Sequence, residues 1–220
     1  MALLSEKDVQ YLKRAFEEQL KDKVKILLFV DDATECEYCD LTNQVLNELA
    51  SIDNRIEVTT YHIKRDKEVA QRYNIDKTPA IVMLDKNGND TRIRFFGIPS
   101  GHEFSTLLQD IVAVSTGKPV LFNQKQIEEI KSINKPVNIK VFVTPTCPYC
   151  PKAVLLAHMA ALVNPNIVGE MIEANEFPEL SIRYGIASVP HTFINDKVDF
   201  IGAYPEGAFI RELLRAVGGA

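Results

Sequence analysis

The chain has 220 residues, 46% of them hydrophobic and 25% charged, with a formal net charge of −5. That is the make-up of a globular protein long enough for one or two cores, and its acidic balance offers no footprint for nucleic acid. No apolar run approaches the ~20 residues that span a bilayer, and the N-terminal stretch lacks the apolar core and small-residue site of a signal peptide, so a cytoplasmic protein with no membrane partner is expected.

The first half reads clearly in chain order. Ser5, with Asp8 three residues on, is the capped start of an amphipathic helix over residues 6–20. Val24–Val30 is a near-continuous apolar run, the mark of a buried strand. Cys36-Glu37-Tyr38-Cys39 follows, and Leu41, Val45, Leu46 and Leu49 then recur at helical spacing. Residues 56–63 are rich in β-branched side chains and read as a strand. A short helix over 67–73 should end at Asn74, a residue suited to the left-handed conformation. Beyond Pro79, strands over 81–84 and 92–95 flank an Asn-Gly turn suited to a hairpin, and a helix covers about 101–114.

Gly117-Lys118-Pro119 punctuates the chain and sets the expected domain boundary: 1–117 and 118–220. The second half opens with a helix over 124–133. Strand 137–143 leads to Cys147-Pro148-Tyr149-Cys150 and a helix through residue 162. Strand 167–172 and a short helix ending near Tyr184 follow, with Gly185 as the terminator. Strands 191–194 and 198–201 and a helix over 207–217 complete it.

The two halves are a repeat. Shifted by 111 residues, Cys36 falls on Cys147, Tyr38 on Tyr149, Cys39 on Cys150, Arg72-Tyr73 on Arg183-Tyr184, Ile75 on Ile186 and Pro79 on Pro190. Each first cysteine precedes its proline by 43 residues. The register breaks only in predicted loops, where length changes are tolerated. One break is a first approach from strand to CxxC that is two residues longer; the other is a longer hairpin turn at residues 85–90.

Each CxxC lies between a strand and a helix, and that context carries the chemistry. A helix N-terminus presents unpaired N–H groups and about half a positive charge, which lowers a thiol's pKa from about 8.5 toward 7. The i, i+3 spacing lets the second thiol resolve a mixed disulfide made by the first. Cys36 and Cys147 are thus the expected attacking thiols, and Cys39 and Cys150, one turn inside their helices, the resolving ones. The sulfurs carry the electrons, so no cofactor is expected. Zinc is a poor rival, because 107 residues separate the pairs where a Cys₄ site usually has about 15–20. Purely structural disulfides are another poor rival, since so small a loop constrains the unfolded chain little.

The order strand, CxxC, helix, strand, helix, proline, strand, strand, helix resembles the thioredoxin fold. The resemblance implies an α/β architecture of two tandem thioredoxin-like domains, each a central mixed sheet flanked by helices. It implies cis bonds before Pro79 and Pro190, with backbone groups presented to an incoming peptide, Thr78 and Val189 flanking that groove and Tyr38 and Tyr149 shaping it. The tandem form, with Cys-Glu-Tyr-Cys first and Cys-Pro-Tyr-Cys second, is similar to the glutaredoxin-like protein disulfide oxidoreductases of thermophilic archaea and bacteria. That implies oxidation, reduction or isomerisation of protein disulfides, with a thioredoxin reductase-like flavoprotein as electron partner. A peptide-binding chaperone-like module, or a dedicated electron carrier to a peroxidase, are the other readings, and use of glutathione stays open.

The two sites differ in charge. Asp31, Asp32, Glu35, Glu37 and Asp40 crowd the first, whereas residues 144–152 carry no carboxylate and one cation, Lys152. Negative charge disfavours a thiolate, so Cys147 is expected to be the more reactive thiol and its pair the stronger oxidant. His62, His102, His158 and His191 read as packing or surface residues, with only His191 near a predicted site. Lys140 is a weak candidate for the group that assists the resolving thiol, and Tyr11, Phe16, Phe104 and Phe122 read as core.

Overall fold

The computed structural model describes residues 1–218. The described residues form two compact units, residues 1–91 with 111–118, and residues 92–110 with 119–218.

In the first unit, helix α1 (Glu6–Gln19) starts at a capping box: Asp8 N–H donates to Ser5 Oγ, and Ser5 N–H to the Asp8 carboxylate. Such a cap is worth about 1 kcal/mol. The helix buries Leu12 and Phe16, but Tyr11, one residue off that stripe, is 71% exposed and is not core. Strand β1 (Val24–Val30) is central, pairing in parallel with β2 (Ile56–His62) and antiparallel with β3 (Ala80–Leu84). A parallel pair needs a crossover, and α2 (Cys39–Ile52) supplies it. Helix α3 (Lys67–Arg72) ends as expected, with Asn74 at φ 56°. Ile26, Leu28, Leu46, Leu49, Ile81 and Met83 are fully buried, at about 1.5–3 kcal/mol for each side chain removed from water.

In the second unit the strand order is β4-β6-β5-β7-β8. These are β4 (Asp90–Phe96), β5 (Val137–Val143), β6 (Ile167–Glu173), β7 (His191–Ile194) and β8 (Val198–Ile201). Strand β4 is parallel to β6, with Ile93 opposite Gly169, which groups residues 92–110 with the second half of the sequence rather than with the first. Helix α4 (Glu103–Thr116) begins in this unit. Helix α5 (Gln124–Lys131) is capped by Asn123, whose side chain accepts the Gln126 N–H in a second capping box. Helix α6 (Cys150–Val163) is buried on every side from Ala153 to Ala161, as expected of a helix apolar all round. It lies so close to β6 that a Cβ on Gly169 would meet the Ala157 carbonyl oxygen at 2.5 Å. Helices α7 (Pro178–Arg183) and α8 (Glu206–Gly218) complete the unit. Among the described residues no helix is long and apolar enough to cross a membrane.

Candidate redox sites

Both CxxC pairs are disulfides, Cys36–Cys39 and Cys147–Cys150, each with Cα atoms 5.5 Å apart. The helices start later than expected. Cys39 and Cys150 are the first helical residues, not one turn inside, and Tyr38 and Tyr149 are the N-caps. The reason is local. The first helical bond is from Thr42 N–H to the Tyr38 carbonyl, while Cys36 belongs to a separate turn, its N–H donating to the Asp32 carbonyl at 2.9 Å. The attacking candidates are each slightly more exposed than their partners: Cys36 5% against 1% for Cys39, and Cys147 8% against 0% for Cys150.

Both Thr78–Pro79 and Val189–Pro190 are cis. At the second site the Cys147 Sγ lies 3.8 Å from the Val189 carbonyl oxygen, so the disulfide faces the segment before Pro190. Pro190 is buried and Val189 half-buried, and Pro79 and Thr78 repeat this at the start of β3. Tyr149 is 70% exposed and Tyr38 36%, which makes the tyrosine of the second motif the larger apolar surface offered to a partner.

The loop before Cys147 is braced by residues from the first half of the sequence. His102 N–H donates to the Pro145 carbonyl at 3.0 Å. Gly101 has φ +60°, and a Cβ there would meet the Pro145 oxygen at 2.3 Å, so only glycine allows this approach. Nothing in the repeat announces the brace.

Charges at the two sites are more compensated than the sequence suggests. His62 bonds Asp32 at 3.0 Å and Lys64 pairs with Asp31 at 3.4 Å. The His62 hydrogen bond holds the Asp32 carboxyl below its usual range, aided by the charges of His62 and Lys64. At the second site Lys152 pairs with Glu206 of α8 at 3.2 Å. The N–H at the start of α8 and then Lys152 hold the Glu206 carboxyl low. Lys140 is engaged by Asn138 Oδ1 and by Glu170 at 3.7 Å, an ion pair too long for a hydrogen bond.

Asp31, Asp32 and His62 place three potential ligand atoms within 4.8 Å of one another, but they do not fit a cation. Lys64 N–H donates to His62 Nδ1 at 3.2 Å. Nδ1 therefore carries no proton, and the proton of the neutral ring sits on Nε2, the atom a metal would need.

A buried polar cluster in the second unit has no counterpart in the sequence expectations. His158 Nδ1 is 2.6 Å from Asp110 Oδ2, and His158 Nε2 donates to the Arg94 carbonyl at 2.9 Å. One proton thus lies between Nδ1 and Oδ2, and the pair is neutral as a whole. Burial pushes the Asp110 carboxyl up. Nearby, Glu103 accepts from Thr106 Oγ1 at 2.9 Å, and its Oε2 has no hydrogen-bond partner among the described residues. Burial pushes Glu103 to about 7, against the opposing pull of Thr106 and His158. A signal exists in the sequence: Glu103, Thr106 and Asp110 share a face of α4 with the buried Leu107, Ile111 and Val114. His191 pairs with Asp199 at 2.8 Å and stacks on Phe193.

Both halves match thioredoxin families: a thioredoxin-like domain over residues 12–111 and a thioredoxin domain over residues 137–215. The structure of the alkylhydroperoxide reductase AhpF from Enterococcus faecalis is similar with a TM-score of 0.87 and 32% identity, covering 96% of this chain and 99% of that one. A protein disulfide oxidoreductase from Aeropyrum pernix is similar with a TM-score of 0.89 and 29% identity, over 100% of this chain and 96% of that one. The corresponding alkyl hydroperoxide reductase protein of Staphylococcus epidermidis is 34% identical over 152 residues, or 69% of this chain, and the match spans only 27% of that protein's length. The chain belongs to the thioredoxin-like oxidoreductases, as a tandem of two thioredoxin-like domains with a CxxC disulfide in each.

Proposed function

We propose that the protein exchanges disulfides with client proteins through both CxxC pairs, with Cys36 and Cys147 attacking and Cys39 and Cys150 resolving. The observation that carries this reading is the Cys147 sulfur set against the carbonyl before cis-Pro190, in the turn that leads into the N-terminus of α6. In the reducing direction the Cys147 thiolate attacks a client S–S bond. A mixed disulfide forms and one client thiolate leaves. The Cys150 thiolate then attacks the Cys147 sulfur and releases the second client thiolate. Two electrons have moved to the client, and Cys147–Cys150 is again a disulfide. The same steps run backward oxidise a client dithiol.

The client chain lies beside Thr78-Pro79 or Val189-Pro190, with Tyr38 or Tyr149 at its flank. The working domains divide near Lys118, and the protein acts in the cytoplasm. A thioredoxin reductase-like flavoprotein re-reduces it. The likeness to alkyl hydroperoxide reductases favours a second reading, in which the client is a peroxidase.

Trapping tests the reading. The Cys150→Ser and Cys39→Ser proteins should accumulate mixed disulfides with an oxidised client, at Cys147 and Cys36 respectively. Cys147→Ser and Cys36→Ser should not trap at those sites. Mixed disulfides formed equally on the second cysteines would overturn the assignment of roles.

A further inference from the structure

The approach to Cys36 is two residues longer than the approach to Cys147, and the longer loop is acidic. Asp32 has two jobs in it. Its carbonyl accepts the N–H groups of Glu35 and Cys36, at 2.8 and 2.9 Å, and so forms the turn that presents the cysteine. Its carboxylate reaches His62, the last residue of β2, at 3.0 Å, and Asp31 lies 3.6 Å from the same nitrogen.

The position of His62 is matched in the repeat by Glu173, the last residue of β6. The two share one local duty. Glu173 Oε1 accepts the N–H two residues on, from Asn175, and His62 Nδ1 accepts the N–H two residues on, from Lys64. Histidine adds what glutamate lacks. With Nδ1 occupied as an acceptor, Nε2 must be the donor, and its N–H points at the carboxylates of the loop. The ring is buried, 8% exposed, and fixed by the Lys64 bond, while the Asp32 side chain it holds is 63% exposed, so a buried donor anchors a carboxylate that reaches into water.

We propose that His62 is a positioning residue of the first redox pair: it ties the acidic approach loop to the end of β2 and takes up part of its negative charge, so that β2 sets the thiol–disulfide balance at Cys36–Cys39. This rests on the first pair being a working redox couple. The group acts through Asp31 and Asp32 and touches neither sulfur nor client.

Replacement by glutamate copies the second half. His62→Glu keeps an acceptor for the Lys64 N–H but sets a like charge against Asp31 and Asp32. His62→Gln keeps both bonds, since Oε1 can accept while Nε2 donates. Negative charge near a thiol disfavours its thiolate and, with it, the reduced pair. Each protein is equilibrated in dithiol/disulfide buffers, and the two pairs are read separately by alkylation and mass spectrometry. In His62→Glu the first pair should shift at least about threefold toward disulfide, with the second pair unmoved and so reporting an intact protein. His62→Gln should hold the first pair at the wild-type balance. Asp32→Asn, which removes a carboxylate but keeps the backbone turn, should shift it toward dithiol. A first pair unmoved in both His62→Glu and Asp32→Asn overturns the assignment alone, as does a glutamine variant that shifts as far as the glutamate one. A wild-type first pair with no reversible couple overturns the redox reading as well.

Discussion

Glu103 illustrates what a single buried carboxyl does to stability. Its pKa rises from the ordinary 4.5 to about 7 in the folded chain, chiefly through burial. Below about pH 4.5 both states bind the proton and the group contributes nothing. As pH rises toward 7 the unfolded chain releases its proton first, so folding loses up to about 3 kcal/mol by the time the folded group ionises. Glu103→Gln keeps the Thr106 bond and removes the ionisation. Its stability should fall less between about pH 4.5 and 8 than that of the wild type in urea titrations, and parallel curves would contradict the burial argument. The cysteines make the second residue-scale prediction. In the Cys39→Ser and Cys150→Ser proteins, Cys147 should ionise at lower pH than Cys36 when followed by thiolate absorbance. The compensation of Asp31, Asp32 and Lys152 narrows the gap, and a reversed order would refute it.

At the scale of elements, periodicity and punctuation made most of the fold legible. β1, β5, β7 and β8 lie where the apolar runs place them, and Asn74 and Gly185 adopt the positive φ their positions imply. The helix starts at Cys39 and Cys150 were less legible, because the turn before each helix rests on backbone bonds, to the Asp32 carbonyl in one half and the Thr144 carbonyl in the other, and not on side-chain pattern. The grouping of β4 with β6 was not legible at all, since a repeat read in sequence keeps β4 with its own half. The same holds for the brace at Gly101. Gly101→Ala adds a Cβ where the Pro145 oxygen already lies. It should cost about 1–3 kcal/mol, as overpacking does, and slow alkylation of reduced Cys147 while leaving Cys36 unchanged. Equal rates at both cysteines in the variant and the wild type would show that the brace does not shape the second site.

For the whole molecule, the duplicated CxxC and proline framework made the chemistry legible, while the supporting polar groups came only with the structure. His62 and His158 look like ordinary surface or packing residues in the sequence, because their partners lie 30 and 48 residues away and only folding brings them together, whereas Glu103 has Thr106 one helical turn on and only its burial is hidden. They differ between the halves, so the repeat gives two sites with the same reaction and different surroundings. The central claim is that both are redox couples. It is tested most directly by equilibrating the Cys36→Ser/Cys39→Ser and Cys147→Ser/Cys150→Ser proteins in graded dithiol/disulfide buffers and counting free thiols. Two reversible two-electron couples, with Cys147–Cys150 the more oxidising, are predicted; pairs that stay oxidised or reduced across the whole series would contradict the account.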